Sequence, residues 1–243
     1  IGKYYIINIC LTVEKNNLRG EIYKMRMRKK KHCADRLESC ASLWIKEPEK
    51  LKGKWNEEIF GNDNPIHIEI GCGKGQFICG MAQVHPDINY IAIDVVPDVL
   101  VLALEKAVSA ELPNVRLIIA DAAKLCDYFE YDEVKRIYLN FSDPWKKSRQ
   151  AKRRLTHKNF LNIYKKLLKN GNLICFKTDN KALFEFSLNS FAEENFKLGN
   201  ITLDLHNSKF EGNIMTEYET KFAEAGMPIY RLEARYIGWS DSK

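Results

Sequence analysis

The chain has 243 residues, 45% of them hydrophobic, which is enough to bury the core of one α/β domain with an appended arm. Its 38 Lys and Arg residues outnumber its 32 Asp and Glu residues, and the net charge of +6 permits a polyanionic partner without requiring one. No apolar run approaches a membrane span, and the seven cysteines form no Cys-x-x-Cys pair, which argues against a membrane protein and predicts a reduced, cytoplasmic one.

The segment before residue 65 shows basic and turn-forming residues rather than a regular apolar pattern. Met25 resembles a natural start, so we expect residues 1–24 to be a dispensable or non-native extension. The basic run that follows predicts a loosely packed arm over residues 25–64. Turn residues at 61–65 then mark the start of the main domain, residues 65–243.

A glycine-rich turn follows the first predicted strand, Ile66–Ile68, and precedes a predicted helix, Gln76–Ala82. Such a turn brings backbone N–H groups, with Gly71 and Gly73 among them, close to a nucleotide-like ligand. The spacing is G-x-G-x-G, and Glu69 stands two positions before the first glycine. A carboxylate there repels a diphosphate and suits a sulfonium or ammonium group, which favours S-adenosylmethionine.

Strand and helix patterns alternate along the rest of the chain. Thr156 is expected to cap the helix that ends at Asn170-Gly171. The alternation predicts a doubly wound, mostly parallel sheet, and the last two strands predict an antiparallel edge. The predicted strands are Tyr90–Asp94, Val115–Ala120, Arg136–Leu139, Leu173–Phe176, Ile201–Leu205 and Ile229–Tyr236, and the predicted helices include Pro97–Glu111 and Ala182–Ala192.

Polar residues follow five successive strands, where a doubly wound sheet binds its ligands. Asp94 stands where a carboxylate accepts from ribose hydroxyls, and Asp121 suits an adenine amino group. Each residue alone is typical of a turn, but the full series favours a site. The series consists of Glu69, Asp94, Asp121, Asn140–Trp145 and Lys177–Asn180.

The most specific segment is Ser142-Asp143-Pro144-Trp145. Proline fixes its own φ and holds the flanking side chains at a rigid strand end. Trp145 offers a flat face for a base, and Asp143 offers acceptors for base N–H groups. Polar-Pro-aromatic segments at this place are typical of enzymes that methylate nitrogen on nucleobases, whereas a simple turn with a core tryptophan is the alternative.

Six positive charges lie within the nine residues 146–154, with no acidic residue among them. Such a run is usually a solvated face, but here it stands at the mouth of the predicted site and before a helix. This position favours contact with a phosphate backbone. Further along, Thr216-Glu217-Tyr218-Glu219 predicts either a pair of carboxylates that hold a base edge or a helix start capped by Thr216.

Five ordered segments together resemble the bacterial tRNA (guanine-N7-)-methyltransferase family, over residues 25–235. The segments are Glu69–Phe77, Tyr138–Trp145, Lys152–Leu155, Phe176–Asn180 and Thr216–Glu219. The resemblance implies a class I S-adenosylmethionine-dependent methyltransferase fold, which is Rossmann-like, and methyl transfer to guanine N7 in tRNA.

The resemblance also implies roles for single residues of this chain. Glu69, Asp94, Asp121 and Asp143 are expected to contact S-adenosylmethionine, with Asp143 also catalytic. The expected substrate contacts are Lys147, Asp179, Thr216, Glu217, Tyr218 and Glu219. The expected RNA contacts are Arg149, Gln150, Ala151, Lys152, Arg153 and Arg154. The partner is tRNA, and the protein is expected to be a monomer or a homodimer.

The chain departs from that family pattern at a few positions. Asp94 stands where Glu is usual and Cys72 where Thr is usual, while Lys146 and Gln150 replace Pro and His. Two other functions stay open: a methyltransferase acting on another RNA or on a protein, and a nicotinamide-dependent oxidoreductase, which Glu69 disfavours. His32, Cys33 and Cys40 have no fourth ligand at useful spacing, so no metal site is predicted.

Overall fold

A mixed sheet of eight strands organises residues 32–238, the part of the chain that the computed structural model describes. The expected extension, residues 1–24, and the basic run up to Lys31 lie outside the described residues. The strands are β1 Trp44–Ile45, β2 Ile66–Ile70, β3 Asn89–Asp94, β4 Val115–Ile119, β5 Val134–Asn140, β6 Leu173–Thr178, β7 Phe196–Thr202 and β8 Tyr230–Tyr236.

Helices connect most of these strands and cover both faces of the sheet. Short 3₁₀ turns occur at Pro48–Leu51, Ala122–Lys124 and Ser148–Arg153, and a π-helical turn at Trp55–Phe60. The α-helices are α1 Cys33–Ser39, α2 Gln76–Val84, α3 Pro97–Ser109, α4 Leu125–Tyr128, α5 Lys158–Leu167, α6 Lys181–Glu193 and α7 Glu217–Glu224. None of the helices within residues 32–238 combines the length and the apolarity needed to cross a membrane.

The order of the strands across the sheet is β1-β4-β3-β2-β5-β6-β8-β7. All neighbours from β1 to β6 are parallel, and β8 runs antiparallel to both β6 and β7. The predicted doubly wound sheet with an antiparallel edge is therefore confirmed. After β4 the chain crosses from one side of β2 to the other, so the carboxyl ends of β2 and β5 adjoin the crevice where such sheets bind ligands.

Both faces of the sheet are buried, which explains why the central strands read as continuous apolar runs. All five residues of β2 are buried, and so are the first five of β3. One face packs Ile68 and Ile137 against α5 and α6, and the opposite face packs Ala92 against α2 and α3. The apolar sheet thus forms a rigid support for the polar residues at its carboxyl edge.

Residues 32–64 are not the loosely packed arm that the sequence predicted. Strand β1 pairs in parallel with β4, and Leu37 on α1 is buried. Trp55 is 0% exposed, and its ring lies 5.4 Å from the ring of Phe129. The prediction was wrong because the segment packs through single apolar residues on very short elements, which leave no periodic pattern in the sequence.

Two local predictions are also wrong, because tertiary packing decides the outcome. Thr156 does not cap α5: its hydroxyl is buried 2.7 Å from Ser187 Oγ, and His157 accepts from Asn159 N instead. The strand predicted at 201–205 begins earlier, at Phe196, which packs into the core after a turn at Asn195. Its exposed polar residues conceal this edge strand in the sequence.

Candidate functional site

The carboxyl ends of β2, β3, β4 and β5 surround one cleft with a volume of about 580 Å³. This volume lies within the usual range of sites for small molecules. Residues from each of these strand ends line the cleft, together with part of the basic run. They include Gly71, Asp94, Asp121, Asn140, Ser142, Asp143, Trp145, Lys152 and Arg153.

The glycine turn leaves its backbone open where it faces the cleft. Gly71 and Gly73 have φ values of 79° and 58°, and a Cβ atom on either would meet nothing within 4 Å. Gly75 differs, since a Cβ there would stand 2.6 Å from the Cβ of Ala103 on α3. The first two glycines therefore provide close access to the backbone, and the third allows α2 and α3 to pack.

The carboxylate of Glu69 is buried, and only one of its two oxygens has a hydrogen-bond partner among residues 32–238. Its Oε1 accepts from Asn140 Nδ2 at 2.8 Å, and its Oε2 is buried with no hydrogen-bond partner among residues 32–238. Burial raises the Glu69 pKa to about 8, although Asn140 and Lys177 act in the opposite direction. A buried oxygen that lacks a donor calls for a hydrogen-bond donor from a ligand, most favourably a cationic one.

Asp94 and Asp121 are both fixed by backbone N–H groups. Asp94 accepts from Gly73 N at 3.0 Å and from Val96 N at 2.9 Å. Burial raises the Asp94 pKa, and the nearby Asp143 adds to the increase. Asp121 Oδ1 accepts from Ala123 N at 2.9 Å. Each oxygen of a carboxylate accepts more than one bond, so both groups retain acceptors for ligand hydroxyl or amino groups.

The segment from Phe141 to Trp145 has a constrained backbone. Phe141 and Trp145 take φ values of 52° and 41°, which are unfavourable for residues with side chains. Arg154 secures this conformation by donating to the carbonyl of Pro144 at 3.0 Å and to that of Trp145 at 3.2 Å. Asp143 is exposed at the cleft, while Ser142 Oγ is buried with no partner among the described residues.

The basic run divides into anchoring and exposed residues. Arg153 lies 4.3 Å from the ring centre of Trp145 and covers one face of this ring, which the sequence analysis predicted to stack on a base. Arg154 is half-buried, and its guanidinium also lies 4.4 Å from the ring centre of Phe186. The cations exposed to solvent are Lys146, Lys147, Arg149, Lys152 and Arg153, whereas Gln150 and Ala151 are half-buried in the 3₁₀ turn.

Thr216–Glu219 begins α7, as one of the two alternatives for this segment predicted. Thr216 Oγ1 caps the helix by accepting from Glu219 N at 2.9 Å. Glu217 accepts from Gln76 N, the first N–H of α2, at 3.2 Å and from Lys106 Nζ at 2.7 Å. Glu219 is buried in an ion pair with Lys177. The two carboxylates therefore point to different neighbours.

Tyr218 is linked to the cleft by a stack of aromatic rings. Its side chain is partly exposed, and the carboxylates of Asp143 and Asp179 both contribute, after burial, to raising its pKa. Tyr218 also stacks on Phe222, which in turn stacks on Phe141 with ring centres 6.4 Å apart. This stack links Tyr218 to Phe141, which lines the cleft together with Asp143, whereas Glu219 is buried in its ion pair with Lys177.

Three residues of the predicted strand-end series take part in this arrangement, although the sequence analysis assigned none of them a specific role. Asn140 orients Glu69, Ser142 presents a partnerless hydroxyl, and Lys177 lies under α7. All three stand at or just after the carboxyl ends of β5 and β6, so position on a strand end was the available signal. Among residues 32–238, no group of three or more His, Cys, Asp or Glu side chains could hold a metal ion.

Comparison with known sequences gives consistent matches across most of the chain. A family model described as "Putative methyltransferase" matches residues 63–232. A tRNA (guanine-N(7)-)-methyltransferase of Listeria monocytogenes serovar 1/2a is 57% identical over 212 residues, covering 87% of this chain and 99% of that protein. The protein of the same name from Bacillus subtilis strain 168 is 55% identical over the same share of both chains.

Solved structures with the same fold are more distant in sequence. A structure titled as an antibiotic-related methyltransferase is 20% identical, with a TM-score of 0.54, and covers 73% of this chain and 89% of its own. A SAM-dependent O-methyltransferase from Thermotoga maritima is 15% identical, with a TM-score of 0.51, and covers 93% of this chain and 73% of its own. These likenesses bear on the fold alone, and they confirm the predicted Rossmann-like class.

Proposed function

The chain belongs to the tRNA (guanine-N(7)-)-methyltransferase family, and from that premise we propose that it transfers a methyl group from S-adenosylmethionine to N7 of a guanine in tRNA. The observation that carries the proposal in the structure is the buried Glu69 oxygen that lacks a donor, placed beside an open glycine turn. S-adenosylmethionine has a cationic ammonium group and a sulfonium, which suit such an acceptor.

The remaining cleft residues fit the other parts of the same cofactor. Asp94 has acceptors for the ribose hydroxyls, and Asp121 has an acceptor for the adenine amino group. Gly71 and Gly73 let the ligand approach the backbone closely, because no side chain stands over them. Asp143 completes the set from the end of β5.

Methyl transfer to guanine N7 needs alignment rather than a general base. Bound S-adenosylmethionine supplies an electrophilic methyl carbon: the N7 lone pair forms the new N–C bond, and the C–S electron pair stays on sulfur. Asp143 orients the guanine and offsets the positive charge that develops on its imidazole ring. The rigid strand end that carries Asp143 keeps this carboxylate in place, since Arg154 fixes the following backbone.

On the substrate side, Asp179 and Tyr218 are suited to hold the guanine next to Asp143. A base held in folded RNA must be partly splayed out to reach such a pocket, and an aromatic face helps to offset that cost. Lys147 and the exposed cations among Arg149–Arg154 are suited to contact the RNA phosphates, with Gln150 and Ala151 on the same turn. Thr216, Glu217 and Glu219 support α7, which carries Tyr218.

The proposed reaction also leads to expectations about metal ions, cellular location and oligomeric state. The reaction proceeds without a metal, because N7 already has a free lone pair. A tRNA-modifying enzyme with several free cysteines suits the cytoplasm. The protein works as a monomer or a homodimer.

The decisive experiment incubates the purified chain with labelled S-adenosylmethionine and unmodified tRNA, then digests the tRNA and identifies the labelled nucleoside. We expect 7-methylguanosine. Label on another nucleoside of tRNA, or no label on tRNA by a chain that binds the cofactor, would overturn the proposal in favour of the other methyltransferase functions. Absence of any cofactor binding by calorimetry would contradict the methyltransferase function itself.

A further inference from the structure

Lys177 is a buried cation with all its donors engaged. It stands near the end of β6 with 3% of the residue exposed. Its Nζ lies 2.6 Å from Glu219 Oε2, 3.1 Å from Asn213 Oδ1 and 3.0 Å from the carbonyl oxygen of Ile214. An ammonium group has three N–H donors, so these contacts use its full capacity. All three acceptors belong to the segment that leads into α7 or to α7 itself.

Glu219 extends this network on the other side. It is 0% exposed, and its Oε1 accepts from Asn213 Nδ2 at 2.6 Å and lies 3.3 Å from His206 Nε2. Residues 203–216 contain no helix or strand. These contacts hold the segment together with two others: Leu205 N donates to the carbonyl of Ile229 at 2.8 Å, and the guanidinium of Arg231 lies 3.7 Å from the ring centre of Phe210. We call the Lys177–Glu219 pair with Asn213 the clasp.

The clasp fastens α7 to β6, in addition to the contacts that Glu217 makes with Gln76 and Lys106. The first two residues of α7 face the glycine turn and the cleft: Glu217 accepts from the first N–H of α2, and Tyr218 stacks on Phe222, which stacks on the cleft residue Phe141. Glu219 is the next residue and is the one fastened to β6. Because Tyr218 and Glu219 are adjacent on one helix, release of Glu219 is expected to displace Tyr218 as well.

We propose that Lys177 is a positioning residue for methyl transfer, which acts through Glu219 to hold Tyr218 against the guanine site. The inference rests on the proposed function. It states that Lys177 and Glu219 fix the position of the substrate residue Tyr218, although neither of the two lines the cleft. A buried ion pair does not by itself stabilise a protein, since replacing both partners with hydrophobic residues often leaves the free energy of unfolding unchanged. Under this proposal the pair serves instead to fix the position of α7.

The test compares Lys177→Met with a matched control, Lys165→Met. Lys165 forms an equally short ion pair, 2.6 Å to Glu194, in a largely buried setting between α5 and the end of α6. Both variants lose a buried cation and are expected to melt at a lower temperature. Only Lys177→Met is expected to lose kcat, by roughly ten- to a hundredfold at saturating cofactor, with a smaller change in tRNA affinity. Equal losses of kcat in both variants would overturn the proposal.

Two further variants separate positioning from stability. Lys177→Arg keeps a cation and is expected to recover most of kcat, since it can still pair with Glu219. The double variant Lys177→Met/Glu219→Gln removes both buried charges, so its melting temperature is expected to rise above that of the single variant. Its kcat is expected to stay low, because the contacts to Asn213 and Ile214 are still absent. A double variant with normal kcat would overturn the proposal.

Proteolysis gives a readout that does not depend on methyl transfer. Lys209 is exposed within the segment that the clasp holds. We expect trypsin to cut after Lys209 at least about tenfold faster in Lys177→Met than in Lys165→Met, because cleavage follows the population of the open segment. Equal cutting would contradict the clasp. If the wild-type chain failed to methylate tRNA, the proposed function would be wrong. The difference in trypsin cleavage would still show whether the clasp holds the segment.

Discussion

The two halves of the cleft are built in different ways. The cofactor half is formed by a glycine turn and by carboxylates held on backbone N–H groups, such as Asp94, which accepts from Gly73 N. The substrate half depends on distant pairs: Glu217 meets the N-terminus of α2 across 141 positions, and Lys177 meets Glu219 across 42. The cofactor half is therefore set mainly by backbone geometry, whereas the substrate half is set by side-chain contacts between separate elements.

This difference has a consequence for mutations. Under the proposed function, a change in the cofactor half removes a group that contacts the cofactor, so it should alter one binding constant. A change in the substrate half releases a loop or a helix. It should therefore displace the substrate residues, and lower kcat, more than it lowers the affinity for tRNA. The two halves meet at Asn140, which orients Glu69 on the cofactor side and directly precedes the constrained segment that carries Asp143.

The largest effect is expected at the junction of the halves. Asp143→Ala should fold and still bind tRNA, yet lose turnover by roughly a hundredfold or more, because the orienting carboxylate is absent when charge develops on the base. Single-turnover rates at saturating cofactor measure this loss. Asp143→Asn, which keeps the size of the side chain, is the matched variant. A near-normal rate in both would remove Asp143 from catalysis.

The cofactor half should respond to single substitutions through binding alone. Glu69→Ala and Asp94→Ala each remove a carboxylate that accepts from the ligand, and the expected loss of cofactor affinity is roughly ten- to a hundredfold. Calorimetry measures the affinity, with Glu57→Ala on the exposed surface as the control. Affinity for tRNA should stay unchanged. Wild-type cofactor affinity in both variants would contradict the assignment of this half.

The raised pKa of Glu69 predicts a pH dependence of stability in the absence of cofactor. Burial lifts this pKa from an ordinary 4.5 to about 8, so the folded chain keeps a proton that the unfolded chain releases between these values. Stability from this group is fully present below the ordinary pKa and is lost as the pH rises through the folded one. The melting temperature should therefore fall more steeply toward pH 8 in the wild type than in Glu69→Gln.

The same ionisation links Glu69 to ligand binding. A cationic group bound at Glu69 favours the carboxylate, so binding near neutral pH should release a proton that the cofactor-free protein holds. Calorimetry in buffers of different ionisation enthalpy counts this proton. Glu69→Gln should release fewer protons than the wild type. An identical release in both would assign the proton to another group that faces the site, with Lys177, Glu217 and Asp94 as the charged neighbours of Glu69.

The contrast between the halves also explains which parts of the site could be predicted from the sequence. Glu69, Gly71 and Gly73 form one contiguous motif, and the strands around it carry strong apolar patterns. Nothing near Glu217 in the sequence indicates that it accepts from the first N–H of α2. Contacts of this kind depend on the assembled fold, which a local pattern does not specify.

The strand-end rule gave the right neighbourhood without giving the contacts. It brought Asn140 and Lys177 to the carboxyl edge of the sheet, where the structure places them. It did not distinguish the exposed Asp143 from the buried Lys177, because burial depends on which loop covers the strand end. Thr156 shows the same limit of sequence patterns. It is a residue type that often caps helices, but here its buried hydroxyl is hydrogen-bonded to Ser187.

The smallest effects are expected on the RNA side, where exposed and anchoring cations should differ. Replacing Arg149 and Lys152, both exposed, with Ala should weaken tRNA binding severalfold and leave the melting temperature unchanged. For each lost phosphate contact, the slope of log affinity against log salt should become shallower by roughly 0.7–0.9. Arg154→Ala should instead lower the melting temperature and turnover, since it releases the carbonyls of Pro144 and Trp145.

Arg153 provides the intermediate case, because it is exposed and also covers the ring of Trp145. If it contacts phosphate, Arg153→Ala should change the salt slope as Arg149 and Lys152 do. If it only packs on the ring, the slope should stay constant while the intrinsic fluorescence of Trp145 changes. A salt series of tRNA affinity, run beside thermal melts of all these variants, separates the two results. An unchanged slope in every variant would leave the basic run without a role in RNA binding.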